Sequence, residues 1–166
     1  MKARFLFKGE VMEHKSDRKW RLEKLLQKHK SKQKLSYGVL FEECLDALGE
    51  GTIILSEESS ETMRNELVNA YYFTPWGRID WDKISKKTEI KIAADVLYTL
   101  KSLNIDIGTP IYIIWSGSYP VLQTDFQRFI NALDDVLAVD FDTYVYCSSH
   151  YVIEFFHDGE ITLGYL

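Results

Sequence analysis

Apolar residues recur with a helical spacing in the first part of the chain. One stripe predicts a helix over 17–33 and a clearer one predicts a helix over 36–48, ended by the glycines of 49–51. The first stripe consists of Leu22, Leu25, Leu26 and His29. The second consists of Tyr37, Leu40, Phe41, Cys44, Leu45 and Leu48. Because the two stripes are nearly in phase, one long helix weakened through 27–34 is an alternative prediction.

The middle of the chain alternates between short regular segments and one irregular segment. A β-branched run predicts a strand over 52–55, and Ser59 or Ser60 is expected to cap a helix that continues to about Ala70. Pro75, Gly77 and five aromatic residues interrupt the pattern in 71–84, YYFTPWGRIDWDKI. A wide apolar face then predicts a buried helix over 86–103.

The last third of the chain predicts a sheet. An apolar run predicts a strand over 110–115, and Thr124-x-x-Gln127 predicts the capping box of a following helix. Three further strands are expected over 143–147, 151–156 and 161–165, with Asp158-Gly159 as a hairpin turn. The expected fold is a single α+β domain. It has a mostly antiparallel sheet of about five strands, helices packed on one face, and a C-terminal β-meander.

Composition narrows the class of protein. The chain is 46% hydrophobic with 9 Gly and 3 Pro in 166 residues, which excludes disorder and low-complexity sequence. No apolar stretch approaches the roughly 18 residues of a membrane helix, so no membrane partner is expected. Cys44 and Cys147 lie far apart, without metal-ligand spacing, so a reducing cytoplasm is the expected compartment.

Charge divides the chain into a basic and an acidic part. Residues 1–35 hold 12 Lys and Arg against four acids, a balance of +8, whereas 36–166 hold 8 against 21, a balance of −13. We therefore predict a basic N-terminal extension with a helix over 1–35 and an acidic α+β domain over 36–166. Such asymmetry concerns partners rather than fold. The basic part could bind nucleic acid or anionic lipid, fold back on the acidic part, or be a solvated face without a partner.

The sequence offers little for catalysis. It contains no His or Cys pair at metal spacing and no glycine-rich phosphate loop, so no metal or cofactor is expected. Ser116-Gly117-Ser118 lacks the flanking glycines of a nucleophile elbow. Carboxylates are plentiful beyond Lys101, but Arg128 is the sole Lys or Arg there, which argues against phosphoryl transfer. The expected protein is not an enzyme.

Acids interleaved with aromatic residues suit docking on a basic protein. Long-range attraction speeds the encounter, and aromatic anchors supply most of the affinity. The segment 76–81, WGRIDW, is the best local candidate, although one or both tryptophans could instead pack in the core. The candidate contact residues are Trp76, Arg78, Asp80, Trp81, Asp134, Asp135, Asp140 and Asp142.

Three stretches resemble a known family. They are YGVLFEECLDALGEGTIIL, FTPWGRIDW at 73–81, and the terminal YVIEFFHDGEITLGYL. From about Ser36 to Leu166 the chain is similar to the bacterial immunity proteins of contact-dependent growth inhibition and related polymorphic toxin systems. The resemblance implies a cytoplasmic, non-enzymatic inhibitor that binds the C-terminal domain of its cognate toxin, often a nuclease. It transfers no catalytic or binding residue, and it leaves 1–35 and the oligomeric state open.

The alternative is a nucleic-acid-binding regulator that uses the basic segment 1–35. Phosphate contacts by Lys and Arg dominate such binding and make it fall steeply with salt. Nucleic acid is not the expected partner of the acidic domain, whose surplus of carboxylates would repel phosphate.

Overall fold

Seven short strands pair into one antiparallel sheet in the computed structural model, which describes Trp20 and residues 37–166. Tyr37–Leu166 form one compact unit. The strands are β1 (Ile53–Ile54), β2 (Lys87–Ile90), β3 (Ile111–Trp115), β4 (Leu122–Thr124), β5 (Thr143–Cys147), β6 (Tyr151–Phe155) and β7 (Ile161–Tyr165). Their order across the sheet is β1-β4-β3-β5-β6-β7-β2, so β1 and β2 form its edges.

The pairing register gives each face of the sheet its own row of side chains. On the first face, Ile113 pairs with Val145, Val145 with Ile153, and Ile153 with Leu163, and all four are fully buried. On the second face a row of mixed polarity runs across the same strands. It consists of Ile114, Tyr144, Glu154, Thr162 and Glu89. Since side chains alternate along a strand, both faces of the central strands are covered.

Helices cover the first face and build the main core. The five helices in the described part of the chain are α1 (Val39–Leu48), α2 (Glu57–Ala70), α3 (Val96–Ser102), α4 (Phe126–Asn131) and α5 (Leu133–Ala138). Helices α1, α3, α4 and α5 contribute buried residues such as Phe41, Val96, Phe129 and Val136 to this core. Its contents are almost wholly apolar, so its stability comes from burial of hydrocarbon surface.

The second face is covered by α2 and by the irregular segment 71–84. Leu67 of α2 and Tyr71 and Ile79 of the segment pack there against Tyr144 and Tyr146 of β5. A second buried cluster therefore lies on this face, smaller than the main core and richer in tyrosine. The expectation that helices pack on one face alone is thus wrong, because α2 lies on the other face.

Several predictions from the pattern are confirmed. The helix expected over 36–48 is α1, and the strand expected over 110–115 is β3. The three C-terminal strands form an antiparallel meander, β5-β6-β7, with Gly159 at a positive φ of 93° in its second turn. The fold is α+β as expected, with seven strands rather than about five. The helix expected over 17–33 lies outside the described residues, apart from Trp20.

The helix predicted over 86–103 is wrong in its first half. Residues 87–90 form strand β2, a 3₁₀ turn follows at Ala93–Asp95, and the α-helix spans Val96–Ser102. Strand β2 pairs with β7 along its whole length, from Lys87 opposite Gly164 to Ile90 opposite Ile161. This pairing satisfies backbone groups of β7 that a helix would have left without a partner in the sheet, so the tertiary context overrides the helical pattern.

Two predicted helix starts are displaced, and strand β4 was, like β2, not predicted. Ser56, rather than Ser59 or Ser60, caps α2, because its hydroxyl accepts a bond from the Ser59 amide at 3.2 Å. Asp125, rather than Thr124, caps α4 by accepting from the Arg128 amide at 2.9 Å. Thr124 instead ends strand β4, which supplies one of the two strands missing from the predicted sheet.

Candidate functional site

The segment 71–84 forms a tight loop on the second face of the sheet. Phe73 and Ile79 form an isolated antiparallel bridge, and the Thr74 amide donates to the Arg78 carbonyl at 2.7 Å. Gly77 adopts a φ of 89°, which favours glycine, and closes the turn. Trp76 therefore stands at the tip of the loop with 76% of its surface exposed.

A buried carboxylate holds the loop to the sheet. Glu154 of β6 is 1% exposed and accepts three bonds from the loop. They come from the Ile79 amide at 3.0 Å, Arg78 Nε at 3.1 Å and Trp81 Nε1 at 2.5 Å. Burying a charge is costly unless it is paired and hydrogen-bonded. The buried Glu154 carboxylate therefore requires the loop donors, and the loop requires Glu154 to hold its position.

Arg78, predicted as a toxin contact, is engaged within the molecule. Its guanidinium pairs with Glu154 and with Glu160, and it lies 4.1 Å from the centre of the Phe156 ring. Burial alone would lower the pKa of Arg78, but the bonds to Glu160 and Glu154 raise it above its usual value. Arg78 thus positions the loop, and its charge is paired within the molecule.

Trp81 and Asp80 also have local roles. The Trp81 indole packs against Gly164 of β7, where an added Cβ would lie 2.7 Å from its ring. Asp80 pairs with Lys83 at 2.7 Å, and bonding to Asp80 outweighs the small cost of burial and raises the pKa of Lys83. The Trp81 side chain is therefore half-buried and packs within the fold. The Trp76 side chain, in contrast, is exposed.

An open groove lies between the loop and edge strand β2, with a volume of about 830 Å³. We call it the loop groove. Loop residues form one side, and β2 and β7 contribute Lys87, Glu89 and Thr162. The loop supplies apolar surface from Phe73, Pro75 and Trp76. A concave site of this size, with mixed apolar and charged walls, can accept a ligand or a protein segment.

The predicted acids of the last third differ in whether they bond within the fold. Asp140 accepts bonds from the Ser116 hydroxyl at 2.8 Å and the Gly117 amide at 2.6 Å. Asp142 accepts from the amide and from Nδ1 of His157, both at 2.9 Å. Asp134 and Asp135 are exposed in the first turn of α5. Two of the four acids therefore already bond within the fold, and two face solvent.

Asp142 lies near the loop, whereas Asp134 and Asp135 lie on the other side of the sheet. The His157 ring lies 4.0 Å from the Phe156 ring, which in turn lies under Arg78, so Asp142 and the loop meet at one end of the sheet. Helix α5, which carries Asp134 and Asp135, packs against α1 over the main core. These two acids are thus separate from the loop.

Glu154, Glu160 and Gly164 were not among the candidates, although they shape the loop. The sequence carried one signal for Glu154, which is the single charged residue in the apolar run 151–156, YVIEFF. A carboxylate at such a position in a buried strand indicates a bonded internal partner. Gly164 carried no signal, because its closeness to Trp81 depends on how distant segments pack.

Catalytic and metal chemistry find little support in the described residues. They contain no group of three or more His, Cys, Asp or Glu side chains placed to hold a metal ion. Both cysteines are buried and free, and burial raises the pKa of Cys44 to about 12 and that of Cys147 to about 11. Ser116 donates to a carboxylate rather than to a histidine. In this part of the chain no helix is both long and apolar enough to cross a membrane.

Comparison with known proteins identifies the family. The family model of the CdiI immunity proteins, EcoliA0-like, matches residues 38–164, which include the loop and the whole sheet except Tyr165 at the end of β7. No curated protein matches the chain with significant similarity. Because the family model covers well over half of the chain, the chain belongs to the CdiI immunity protein family, EcoliA0-like.

Proposed function

We propose that this protein binds the C-terminal domain of a cognate bacterial toxin, a nuclease, and neutralises it without catalysing a reaction. Membership of the immunity protein family over residues 38–164 is the observation that carries the proposal. The proposed complex forms in the cytoplasm, where a nuclease toxin would meet its substrate.

The charge of the matched region supports a nuclease as the toxin. Residues 36–166 carry 8 Lys and Arg against 21 Asp and Glu. A nuclease needs a cationic cleft, because phosphate charge dominates the binding of nucleic acid. An acidic protein is attracted to such a cleft and, once bound, excludes the substrate.

The proposed binding surface combines exposed aromatics with carboxylates. Its candidates are Trp76, Arg78, Asp80 and Trp81 in the loop and Asp134, Asp135, Asp140 and Asp142 at the end of the sheet and on α5. Exposed Asp134 and Asp135 suit long-range attraction, which acts mainly on the association rate. Trp76 suits a desolvated anchor, which acts mainly on dissociation.

Co-purification with the product of the gene immediately upstream tests the proposal. We expect a one-to-one complex at moderate salt, survival of cells that express the toxin together with this protein, and stoichiometric loss of nuclease activity in vitro. A toxin domain that remains fully active, with no complex at equimolar concentration, would refute the proposal. A complex with a toxin that cleaves no nucleic acid would refute the nuclease assignment alone.

Charge reversal tests the role of the acidic surface. The combined variant Asp134→Lys and Asp135→Lys should slow association with the toxin and flatten its dependence on salt, since both side chains are exposed. Unchanged association and salt dependence would remove these two acids from the proposed surface.

Deletion of residues 1–35 separates the proposal from the nucleic-acid-binding alternative. An immunity protein should keep its affinity for the toxin after this deletion. A regulator should carry nucleic acid through purification, bind it with a steep salt dependence, and lose that binding with the segment.

A further inference from the structure

The loop groove is a preorganised concavity rather than a soft surface. Its loop is closed by the bonds between Thr74 and Arg78 and is fixed to β6 through Glu154. The Trp81 wall rests on the Gly164 backbone. A site that is already ordered loses less conformational freedom when a partner binds, which favours affinity.

The cations that line the groove are already engaged. Arg78 pairs with Glu154 and Glu160, and Lys83 pairs with Asp80. Lys87 donates to the Trp81 carbonyl at 2.5 Å and lies 3.9 Å from Asp82. An anionic occupant such as phosphate or nucleic acid would have to compete for each of these cations.

One carboxylate of the groove is more available than its cations. Glu89 is exposed and has no ion-pair partner among the described residues, whereas the fully exposed Asp82 lies 3.9 Å from Lys87. The charged side chain of the groove that is left without a partner in this part of the chain is therefore a carboxylate, that of Glu89. Charge complementarity favours an occupant that brings Lys or Arg side chains.

The tip of the loop provides the apolar part of the site. Trp76 lines the groove and is 76% exposed, although a large indole gains most when buried. Indole faces also attract Lys and especially Arg through the charge distribution of the ring. An exposed tryptophan on a fixed loop, beside the free carboxylate of Glu89, has the character of a binding hot spot.

We infer that the loop groove is the docking site for a basic segment of the toxin. A cationic side chain of this segment pairs with Glu89, a second competes with Lys87 for Asp82, and the segment packs on Trp76. Arg78, Glu154 and Trp81 act as positioning residues, because their bonds and packing fix the shape of the groove. The inference rests on the proposed function and narrows it to one surface.

Binding kinetics with the purified toxin domain test the inference. Trp76→Ala should weaken the complex by about 30-fold or more, mainly through faster dissociation, and Trp76→Phe by less. Glu89→Lys should weaken it by about tenfold or more and reduce its salt dependence. Urea unfolding of each variant confirms that folding is intact.

Matched substitutions on the other side of the sheet serve as controls. Tyr98→Ala removes an aromatic residue that is 73% exposed on α3, and Glu43→Lys reverses an exposed charge on α1. Both should leave the affinity within about twofold. If the natural chain binds but the groove variants behave like these controls, the docking site is wrong while the proposed function stands. Absence of binding by the natural chain would instead refute the proposed function.

Discussion

The two faces of the sheet are covered in different ways. Over the first face, four helices place apolar side chains such as Phe41 and Phe129 on a continuous hydrocarbon surface. Over the second face, one helix and an irregular loop meet a surface of tyrosines and a buried carboxylate. The loop is held by directed bonds to Glu154 in addition to packing, whereas the helices are held by packing.

This difference suggests that the helical layer mainly determines stability and that the loop determines recognition of the toxin. Apolar packing is non-directional and tolerates many arrangements, so the helical layer mainly supplies folding free energy. Bonds to a buried carboxylate specify one arrangement of the loop, including an exposed Trp76. We therefore expect substitutions in the helical layer to change stability and those around the loop to change toxin affinity as well.

The largest expected effect lies in the helical layer. Phe129→Ala should lower the free energy of unfolding by about 4 kcal/mol, because Phe129 is fully buried against Phe126 and Phe155. Urea unfolding followed by circular dichroism measures this, with Phe129→Leu as the milder control. Toxin affinity of the folded fraction should stay unchanged. A loss below about 1 kcal/mol would contradict the role given to this core.

Removal of the buried carboxylate should have the next largest effect. Glu154→Ala leaves the Ile79 amide and the Trp81 indole without their acceptor, so we expect a loss of about 3 kcal/mol. Unlike Phe129→Ala, it should also weaken toxin binding, because the loop loses its fixed position. Glu160→Ala, which removes the exposed partner of Arg78, should cost less than about 1 kcal/mol. Equal effects of the two variants would show that burial of Glu154 is unimportant.

A smaller effect is expected at the contact between loop and sheet. Gly164→Ala places a Cβ against the Trp81 ring and should cost about 2 kcal/mol while lowering toxin affinity. Gly108→Ala is the control, since its added Cβ would meet only the far end of the exposed Asp106 side chain, at 3.2 Å, and no buried ring. Tryptophan fluorescence should change in the first variant and not in the second. If Gly164→Ala bound the toxin with the same affinity as the natural chain, this would argue against a fixed loop.

The smallest effect concerns a helix cap. Asp125→Ala should cost about 1 kcal/mol at pH 7 without changing toxin affinity, and Asp125→Asn less. The bond from the Arg128 amide lowers the pKa of Asp125 in the folded protein. Its contribution is therefore present above the pKa of an unfolded Asp and is lost as the pH falls through the lower, folded pKa. The gap in unfolding free energy between Asp125→Ala and the natural chain should narrow from pH 7 towards acid, and a constant gap would contradict this assignment.

Strong local patterns were sufficient for much of the fold. The apolar stripe of α1, the capping region before α4 and the Asp158-Gly159 turn depend on residues close in sequence, and each predicted its element to within a few residues. Strands β2 and β4, in contrast, form by pairing with strands distant in sequence, so the local pattern did not predict them. Residues 86–103 carry enough apolar side chains for a helix, and only pairing of Lys87–Ile90 with β7 makes their first part a strand.

The candidate site shows the same division. Its irregular, aromatic character was evident from Pro75, Gly77 and the two tryptophans of 76–81. The sequence did not show that Trp76 is exposed while Trp81 packs on Gly164, since that contact joins residues 83 positions apart. It also did not show that Asp140 and Asp142 bond within the fold.

The sequence by itself determined the fold class, the charge division and the family resemblance, because these depend on composition and on neighbouring residues. Tertiary structure alone decided which charges are free for a partner. Pairing across the sheet brings Glu154 beneath the loop and uses the charges of Arg78 and Glu160 internally. Glu89, from the edge strand, is left facing the groove. Whether a charge is engaged depends on contacts between distant segments, and these exist only in the folded chain.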